Sequence, residues 1–151
     1  MDRTPRPHEG DKLPPLQLQP LTSAPPSLND LAGAPALLFF YNLGCTGCLH
    51  RGLPLAQRIH EVYPQLRIMA IHVDLGRHSY PTEAILAEAE ERGFLLEHYR
   101  DQGSKTYEAY GAEGTPHWVL IDAEGRLHRS LFGSMEGVQV RLDYILREWF
   151  S

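Results

Sequence analysis

The sequence predicts an α/β domain in which a mixed central β-sheet is flanked by helices on both faces. Three observations indicate this class. Continuous apolar runs that suit buried strands alternate with segments of helical periodicity. The last two strand-like segments are separated by a short turn, which predicts a hairpin. The chain has 151 residues, of which 42% are hydrophobic, and this is enough for one core. Alternating strands and helices that end in a hairpin are typical of a mixed sheet.

Each element is predicted from its own apolar pattern. Strands appear as short alternating or continuous apolar runs, and helices as apolar residues three and four apart. In chain order the predicted elements are an edge strand (16–19), a helical turn (28–31), a buried strand (36–41), a helix (47–63), a buried strand (66–73), a helix (81–92), a strand (95–99), a short helix (105–110), two hairpin strands (117–121 and 127–132) and a last helix (135–150).

Prolines and glycines mark several of the predicted boundaries. Pro54 lies inside the first long helix and should kink it, because proline has no N–H for the helical ladder. The next helix has Pro81 in its first turn and is closed by Gly93. The turn at residues 122–125 ends in glycine, as hairpin turns often do.

Domain organisation and charge exclude several kinds of partner. Residues 1–15 are polar and proline-rich, which predicts a mobile leader, and residues 16–151 predict a single domain. The net charge is −5 without any basic cluster, so nucleic acid is not an expected partner. The longest apolar stretch is far below the ~20 residues of a membrane span. Since no apolar secretory signal follows Met1, we expect a cytoplasmic protein without a membrane partner, and a monomer.

The two cysteines of the chain, Cys45 and Cys48, form a CxxC pair between a buried strand and a helix. A bridge between them closes almost no loop, so it would stabilise the fold very little. Free backbone N–H groups at the start of a helix favour the thiolate of Cys45. Cys48, one turn further on, is placed to attack a mixed disulfide on Cys45. This spacing predicts a nucleophile and a resolving thiol.

The segments LLFFYNLGCTGC (37–48) and YGAEGTPHWVLIDAEGRL (110–127) resemble the thioredoxin-like superfamily. The resemblance is strongest to the TlpA/ResA-type thiol–disulfide oxidoreductases and the related DipZ-type domains. It implies a thioredoxin-like fold with a short N-terminal extension, and a cis Thr115–Pro116 bond beside the cysteines. The Thr115 backbone would then face Cys45 and pair with a substrate peptide.

The same resemblance implies the remaining features of the site. Gly44, Thr46 and Gly47 would border the substrate together with Thr115 and Pro116. The partners would be protein disulfides and a thiol reductant or reductase. No cofactor is expected beyond the redox-active Cys45–Cys48 disulfide.

Four positions depart from the family pattern. Phe39 stands where thioredoxins carry a buried acid, and Gly44 where a Trp commonly precedes the pair. Arg51 replaces a Glu that many TlpA/ResA-type proteins have three residues after the second cysteine. Pro54 is six residues after Cys48, where the family proline is five after it. Proton transfer at Cys48 therefore lacks its usual carboxylate.

His117 follows Pro116 directly and is a candidate for this proton transfer. The competing interpretation is an ordinary strand histidine that faces solvent or bonds to the backbone. No dedicated metal site is predicted, because Cys45, Cys48 and His50 offer at most three ligands where structural zinc needs four.

Two other functions remain open. The first is a thiol peroxidase of the peroxiredoxin kind, although the usual pocket residues are replaced by Leu38 and Asn42. The second is a non-catalytic thioredoxin-like module that binds Cu(I) or zinc through the cysteines with His50 or His117.

Overall fold

The computed structural model of the chain describes residues 6–75, 79–94 and 96–151. Its elements are β1 (Leu18–Pro20), α1 (Leu28–Leu31), β2 (Ala36–Tyr41), a π-helical turn (Cys48–Gly52), α2 (Leu53–Val62), β3 (Arg67–His72), α3 (Thr82–Glu91), β4 (Glu97–Asp101), α4 (Lys105–Ala109), β5 (His117–Ile121), β6 (Leu127–Phe132) and α5 (Glu136–Phe150). None of the helices in these described ranges is long and apolar enough to cross a membrane.

The six strands form one mixed sheet in the order β1-β4-β3-β2-β5-β6. Strands β2, β3 and β4 run parallel to one another, whereas β1, β5 and β6 are antiparallel to their neighbours. Because β2 lies between β3 and β5 with both faces covered, all six of its residues are buried. The predicted mixed sheet is confirmed.

Successive side chains of the central strands enter two separate cores, since they point to opposite faces of the sheet. On the face that we call the α2 face, β2 contributes Leu37, Phe39 and Tyr41, and helices α2, α3 and α5 cover them. On the opposite face, the α4 face, Leu38 and Phe40 pack against α1, α4 and residues of the N-terminal segment. Helices therefore cover both faces, as predicted.

The helix predicted over residues 47–63 is interrupted by the π-helical turn. The Leu53 N–H donates to the carbonyl of Cys48, five residues earlier, and Pro54 lies in the first turn of α2, where its missing N–H costs nothing. A π turn absorbs one residue more than an α turn. The one-residue displacement of Pro54 from the family position is therefore accommodated here.

Two predicted strand boundaries shift because pairing, rather than composition, decides where a strand ends. Strand β1 was predicted to begin at residue 16 but begins at Leu18, because Leu18 is the first residue that pairs with β4, opposite Asp101. Strand β4 was predicted at 95–99 but covers Glu97–Asp101, since it pairs with β3 on one side and β1 on the other. Leu95 itself lies outside the described residues.

The N-terminal segment packs onto the domain before residue 16. Gly10 donates its N–H to the Leu127 carbonyl at 2.8 Å, and Leu127 donates to the Asp11 carbonyl at 2.9 Å. Leu13 is buried in the core of the α4 face, and the Tyr110 hydroxyl donates to the Pro14 carbonyl. Residues 10–14 are thus part of the packed domain, although the sequence predicts a mobile leader there. Residues 1–5 lie outside the described part of the chain.

Candidate active site

The cysteine pair follows a tight turn at the end of β2. The Asn42 side chain organises this turn: its Oδ1 accepts the Gly44 N–H at 2.7 Å, and its Nδ2 donates to the Val73 carbonyl at 2.7 Å. The Cys45 N–H then donates to the Asn42 carbonyl at 3.0 Å. Asn42 therefore fixes the chain that carries Cys45 to the end of β3.

Cys45 is half-exposed at the start of the helical segment, and both cysteines are free thiols. The Cys45 Sγ accepts a hydrogen bond from the backbone N–H of Cys48 at 3.2 Å. The Cys45 thiol also donates to the Thr115 carbonyl oxygen at 3.4 Å. A backbone N–H aimed at sulfur stabilises negative charge there, as at other helix N-termini. Cys45 is thus both accessible and provided with a donor for its thiolate.

Cys48 differs from Cys45 in its exposure to solvent. It is fully buried in the core of the α2 face. Burial raises the pKa of the Cys48 thiol, and the neighbouring Cys45 sulfur raises it further. Cys48 therefore stays protonated at neutral pH, while Cys45 meets solvent.

The Thr115–Pro116 peptide bond is cis and lies beside the pair. The Thr115 carbonyl faces Cys45, and Pro116 packs near Gly52 of the π-helical turn. The structure thus brings the two segments of the sequence resemblance together. Thr115 contacts the Cys45 sulfur through its carbonyl oxygen, and Pro116 lies close to Gly52.

The other predicted substrate-binding positions form the open rim of the site. Gly44 and Thr46 are exposed and Gly47 is half-buried. A Cβ on Gly44 would come within 3.0 Å of the Tyr80 hydroxyl, and one on Gly47 within 3.2 Å of the Ser134 Oγ. A side chain at either glycine would therefore crowd these hydroxyl groups.

His117 is not placed beside the cysteines. It alternates with Trp118 along β5 and is oriented towards the α4 face, whereas Cys48 packs on the α2 face. Its Nε2 contacts the Ser130 hydroxyl at 2.7 Å, and its Nδ1 accepts the Glu113 N–H at 3.5 Å. Burial lowers the pKa of His117 to about 4. These contacts match a satisfied strand histidine and do not support proton transfer at the pair.

Comparison with known proteins assigns the family. Residues 9–130 match the model of the AhpC/TSA family. The chain belongs to the AhpC/TSA family. The thiol-disulfide oxidoreductase ResA of Geobacillus thermodenitrificans is 25% identical over 138 residues, which cover 90% of this chain and 77% of that protein. The predicted relationship to ResA-type proteins is confirmed.

Solved structures confirm the thioredoxin-like fold of this AhpC/TSA-family protein. A thiol-disulfide isomerase from Corynebacterium glutamicum aligns with a TM-score of 0.79 and 24% identity, covering 94% of this chain and 97% of the other. A secreted Mycobacterium tuberculosis disulfide oxidoreductase homologous to Escherichia coli DsbE aligns with a TM-score of 0.71 and 18% identity, covering 88% and 95%. At these identities the similarity establishes the fold.

Two exposed apolar side chains near the segments that form the site were not singled out from the sequence. The Phe132 ring is 52% exposed and lies against Gly114, where a Cβ would come within 2.6 Å of it. Met135 is 64% exposed, and Arg51 Nη1 lies 2.9 Å from its sulfur. Phe132 contacts the His117 ring on the α4 face, whereas Met135 contacts the π-helical turn through Arg51. No sequence signal distinguishes these residues, because their contacts depend on the return of β6 along β5.

A second missed group, of which only His72 is fully buried, lies behind the turn that carries Cys45. It contains His72 at the end of β3, with Asp74 and Arg100 next to it. The available signal was a histidine inside the apolar run of residues 66–73, followed two residues later by an aspartate. Buried polar side chains need partners, so such a residue indicates a specific contact.

The described ranges contain no group of three or more His, Cys, Asp or Glu side chains placed to hold a metal ion. In this part of the chain, neither His50 nor His117 therefore joins the cysteines in a three-ligand cluster. The metal-binding alternative gains no support from the geometry.

Proposed function

We propose that the protein is a thiol–disulfide oxidoreductase that reduces or exchanges disulfides in partner proteins through Cys45 and Cys48. The observation that carries the proposal is the asymmetry of the pair. Cys45 is accessible, its sulfur accepts the Cys48 N–H, and it faces the Thr115 carbonyl. Cys48 is buried and protonated one turn away. Membership of the AhpC/TSA family and the similarity to ResA support the same reaction.

In the first step, the Cys45 thiolate attacks one sulfur of a substrate disulfide. The Cys45–substrate S–S bond forms, the substrate S–S bond breaks, and the first substrate sulfur leaves as a thiolate. In the second step, the Cys48 sulfur attacks Cys45, and its proton passes to the second leaving thiolate. The substrate gains two electrons, and the Cys45–Cys48 pair is oxidised to a disulfide. A thiol reductant or reductase returns the pair to the dithiol.

The rim of the site favours an extended peptide as the substrate. The Thr115 backbone is next to Cys45 and can pair with a strand-like segment. Gly44 and Thr46 are exposed on either side of Cys45 in the chain, and Gly47 is half-buried. The reaction uses the two sulfurs alone and needs no cofactor.

The test is a trapping experiment with insulin as the disulfide substrate. Wild type should reduce insulin with a thiol reductant as electron source, and Cys45→Ser should be inactive. Cys48→Ser should accumulate a mixed disulfide that is visible as a covalent adduct and released by dithiothreitol. If both serine variants reduced insulin as fast as wild type, the proposal would be wrong.

Peroxide consumption separates the proposal from a peroxiredoxin-type reaction. Leu38 is buried in the core of the α4 face, and Asn42 is occupied by the turn. Neither residue is therefore free to hold peroxide beside Cys45. We expect insulin reduction without comparable hydrogen peroxide turnover under the same reductant. The equilibrium potential of the pair would also indicate its role: ~-270 mV suits a cytosolic reductant, and ~-120 mV suits an oxidant.

A further inference from the structure

The turn that carries Cys45 is held from behind by a buried histidine. His72, the last residue of β3, has no exposed surface. Its Nε2 accepts the backbone N–H of Leu43 at 3.2 Å. Leu43 is two residues before Cys45 and adjacent to Asn42, whose own side chain donates to Val73. Both side-chain contacts tie the turn to the end of β3.

An ion pair stands behind the imidazole. His72 Nδ1 lies 3.3 Å from Asp74 Oδ1, and Asp74 Oδ2 pairs with Arg100 Nη1 at 2.8 Å. Arg100 also donates to the Tyr80 carbonyl. Because Nε2 accepts from Leu43, the ring proton belongs on Nδ1, where it faces the carboxylate. Asp74 and Arg100 thus select the tautomer that can hold the turn.

The surroundings of His72 keep it neutral. The ring meets Tyr41 of β2 at a centroid distance of 5.3 Å and Tyr80 at 5.6 Å, both edge to face. The charged or titratable groups that act on it from neighbouring segments are Asp74, His98 and Arg100. Burial lowers the pKa of His72 to about 4, with Asp74 opposing and Arg100 reinforcing this shift. At neutral pH the imidazole is therefore an acceptor for Leu43.

The contact between His72 and Asp74 is poorly aligned. Within the described ranges, His72 Nδ1 and Asp74 Oδ1 are the buried side-chain polar atoms that lack a well-formed hydrogen bond. Buried polar atoms are usually satisfied, so an incomplete bond next to the reactive loop requires an explanation. The explanation is that the bond between Leu43 and His72 Nε2 orients the imidazole ring. This orientation leaves His72 Nδ1 poorly aligned with Asp74 Oδ1.

We propose that His72 is a positioning residue for the redox pair, which holds the turn 42–44 so that the Cys48 N–H points at the Cys45 sulfur. Asp74 and Arg100 act through His72 by fixing its tautomer. The inference rests on the proposed function and identifies what tunes the same site. Since the Cys48 N–H stabilises the Cys45 thiolate, loosening the turn weakens the reduced state and makes the pair more reducing.

His72→Phe and His72→Gln test the proposal as a pair. Phenylalanine keeps a flat ring but has no acceptor, whereas the glutamine amide oxygen reaches the position of Nε2. In His72→Phe we expect the equilibrium with glutathione to shift about tenfold towards the protein disulfide, which equals about 30 mV for a two-electron couple. The rate of Cys45 alkylation by iodoacetamide at a fixed pH should fall. His72→Gln should return both values to within about twofold of wild type.

His98→Phe is the matched control. His98 is also a buried histidine, but its Nε2 contacts the Tyr41 hydroxyl at 2.9 Å and its Nδ1 contacts the Leu96 carbonyl, so it does not touch the turn. We expect no change in either readout. An equal shift in His98→Phe, or no recovery in His72→Gln, would overturn the proposal as a general effect of core disruption.

Asp74→Asn keeps the assay decisive if His72→Phe does not fold. It leaves the imidazole in place and removes the ion pair that selects its tautomer, so a smaller shift in the same direction is expected. Wild-type values in a folded Asp74→Asn or His72→Phe protein contradict the inference. Both readouts concern the thiols themselves, so absence of insulin reduction by wild type would defeat the proposed function and leave the alkylation test of His72 intact.

Discussion

The Cys45 thiol lies 3.4 Å from the carbonyl oxygen of Thr115, a residue seventy positions later in the chain. This contact joins the segment that follows β2 to the residue before the cis proline. Cys45 follows β2 and Thr115 precedes β5. These two strands are antiparallel neighbours from Ala36 to Phe40, so the end of β2 lies beside the start of β5.

Alkylation should distinguish the two cysteines. In the folded dithiol protein at pH 7, iodoacetamide should add one group, at Cys45, because Cys48 is buried and its pKa is raised. A second group should appear only after unfolding in guanidinium. Mass spectrometry of wild type and of Cys45→Ser measures this. Rapid modification of native Cys45→Ser would contradict the buried position of Cys48.

The exposed Phe132 ring should contribute to binding of protein substrates. Because it lies against Gly114, the residue before Thr115, Phe132→Ala should raise the KM for a protein disulfide roughly three- to tenfold, equivalent to about 1 kcal/mol of lost apolar contact. The rate with a small disulfide should change little. Val140→Ala on α5 is the control, since Val140 is also exposed, at 62%. Equal effects of both substitutions would argue against a substrate contact at Phe132.

Gly52 should be intolerant of a side chain. A Cβ at this position would lie 2.7 Å from Phe39 Cζ in the core, so Gly52→Ala should lower the free energy of unfolding by roughly 1–3 kcal/mol. Phe39→Leu should recover part of this loss in the double variant. Gly137→Ala in α5 has nothing within 4 Å and should leave stability unchanged or slightly raised. Chemical denaturation measures all four proteins.

Stability should fall as the pH is lowered from 7 to 4.5. Burial lowers the pKa of both His72 and His117 to about 4, against an ordinary value of 6.5. Between these values the unfolded chain binds more protons than the folded one, so the free energy of unfolding decreases with decreasing pH. Each histidine should account for about 2 kcal/mol over this range.

The His117→Gln variant separates the two histidines. It retains a polar side chain near Ser130 and removes one titrating group, so its stability should depend less steeply on pH than that of wild type. Urea unfolding at pH 7.0 and pH 4.5 provides the comparison. An unchanged pH dependence would contradict the lowered pKa of His117 in the folded protein.

Much of the fold was predictable because it rests on local patterns. All six residues of Ala36–Tyr41 are buried, and the continuous apolar run itself indicates a strand covered on both faces. The turn after Ile121 forms as expected, with the Asp122 carboxylate accepting the N–H groups of Glu124 and Arg126. The boundaries of β1 and β4 were less accurate, because a strand ends where its partner ends and the partner is distant in sequence.

By itself, the sequence determined the mixed sheet and the pair Cys45–Cys48 at the junction of a strand and a helix. Through resemblance, it also indicated that Thr115 and Pro116 belong beside them. Only the tertiary structure decided that His117 points to the face opposite Cys48 and that His72 holds Leu43. Periodicity and motif spacing are properties of short segments. The partner of a buried side chain depends instead on the register between strands and on which face receives it, and these are set when the sheet assembles.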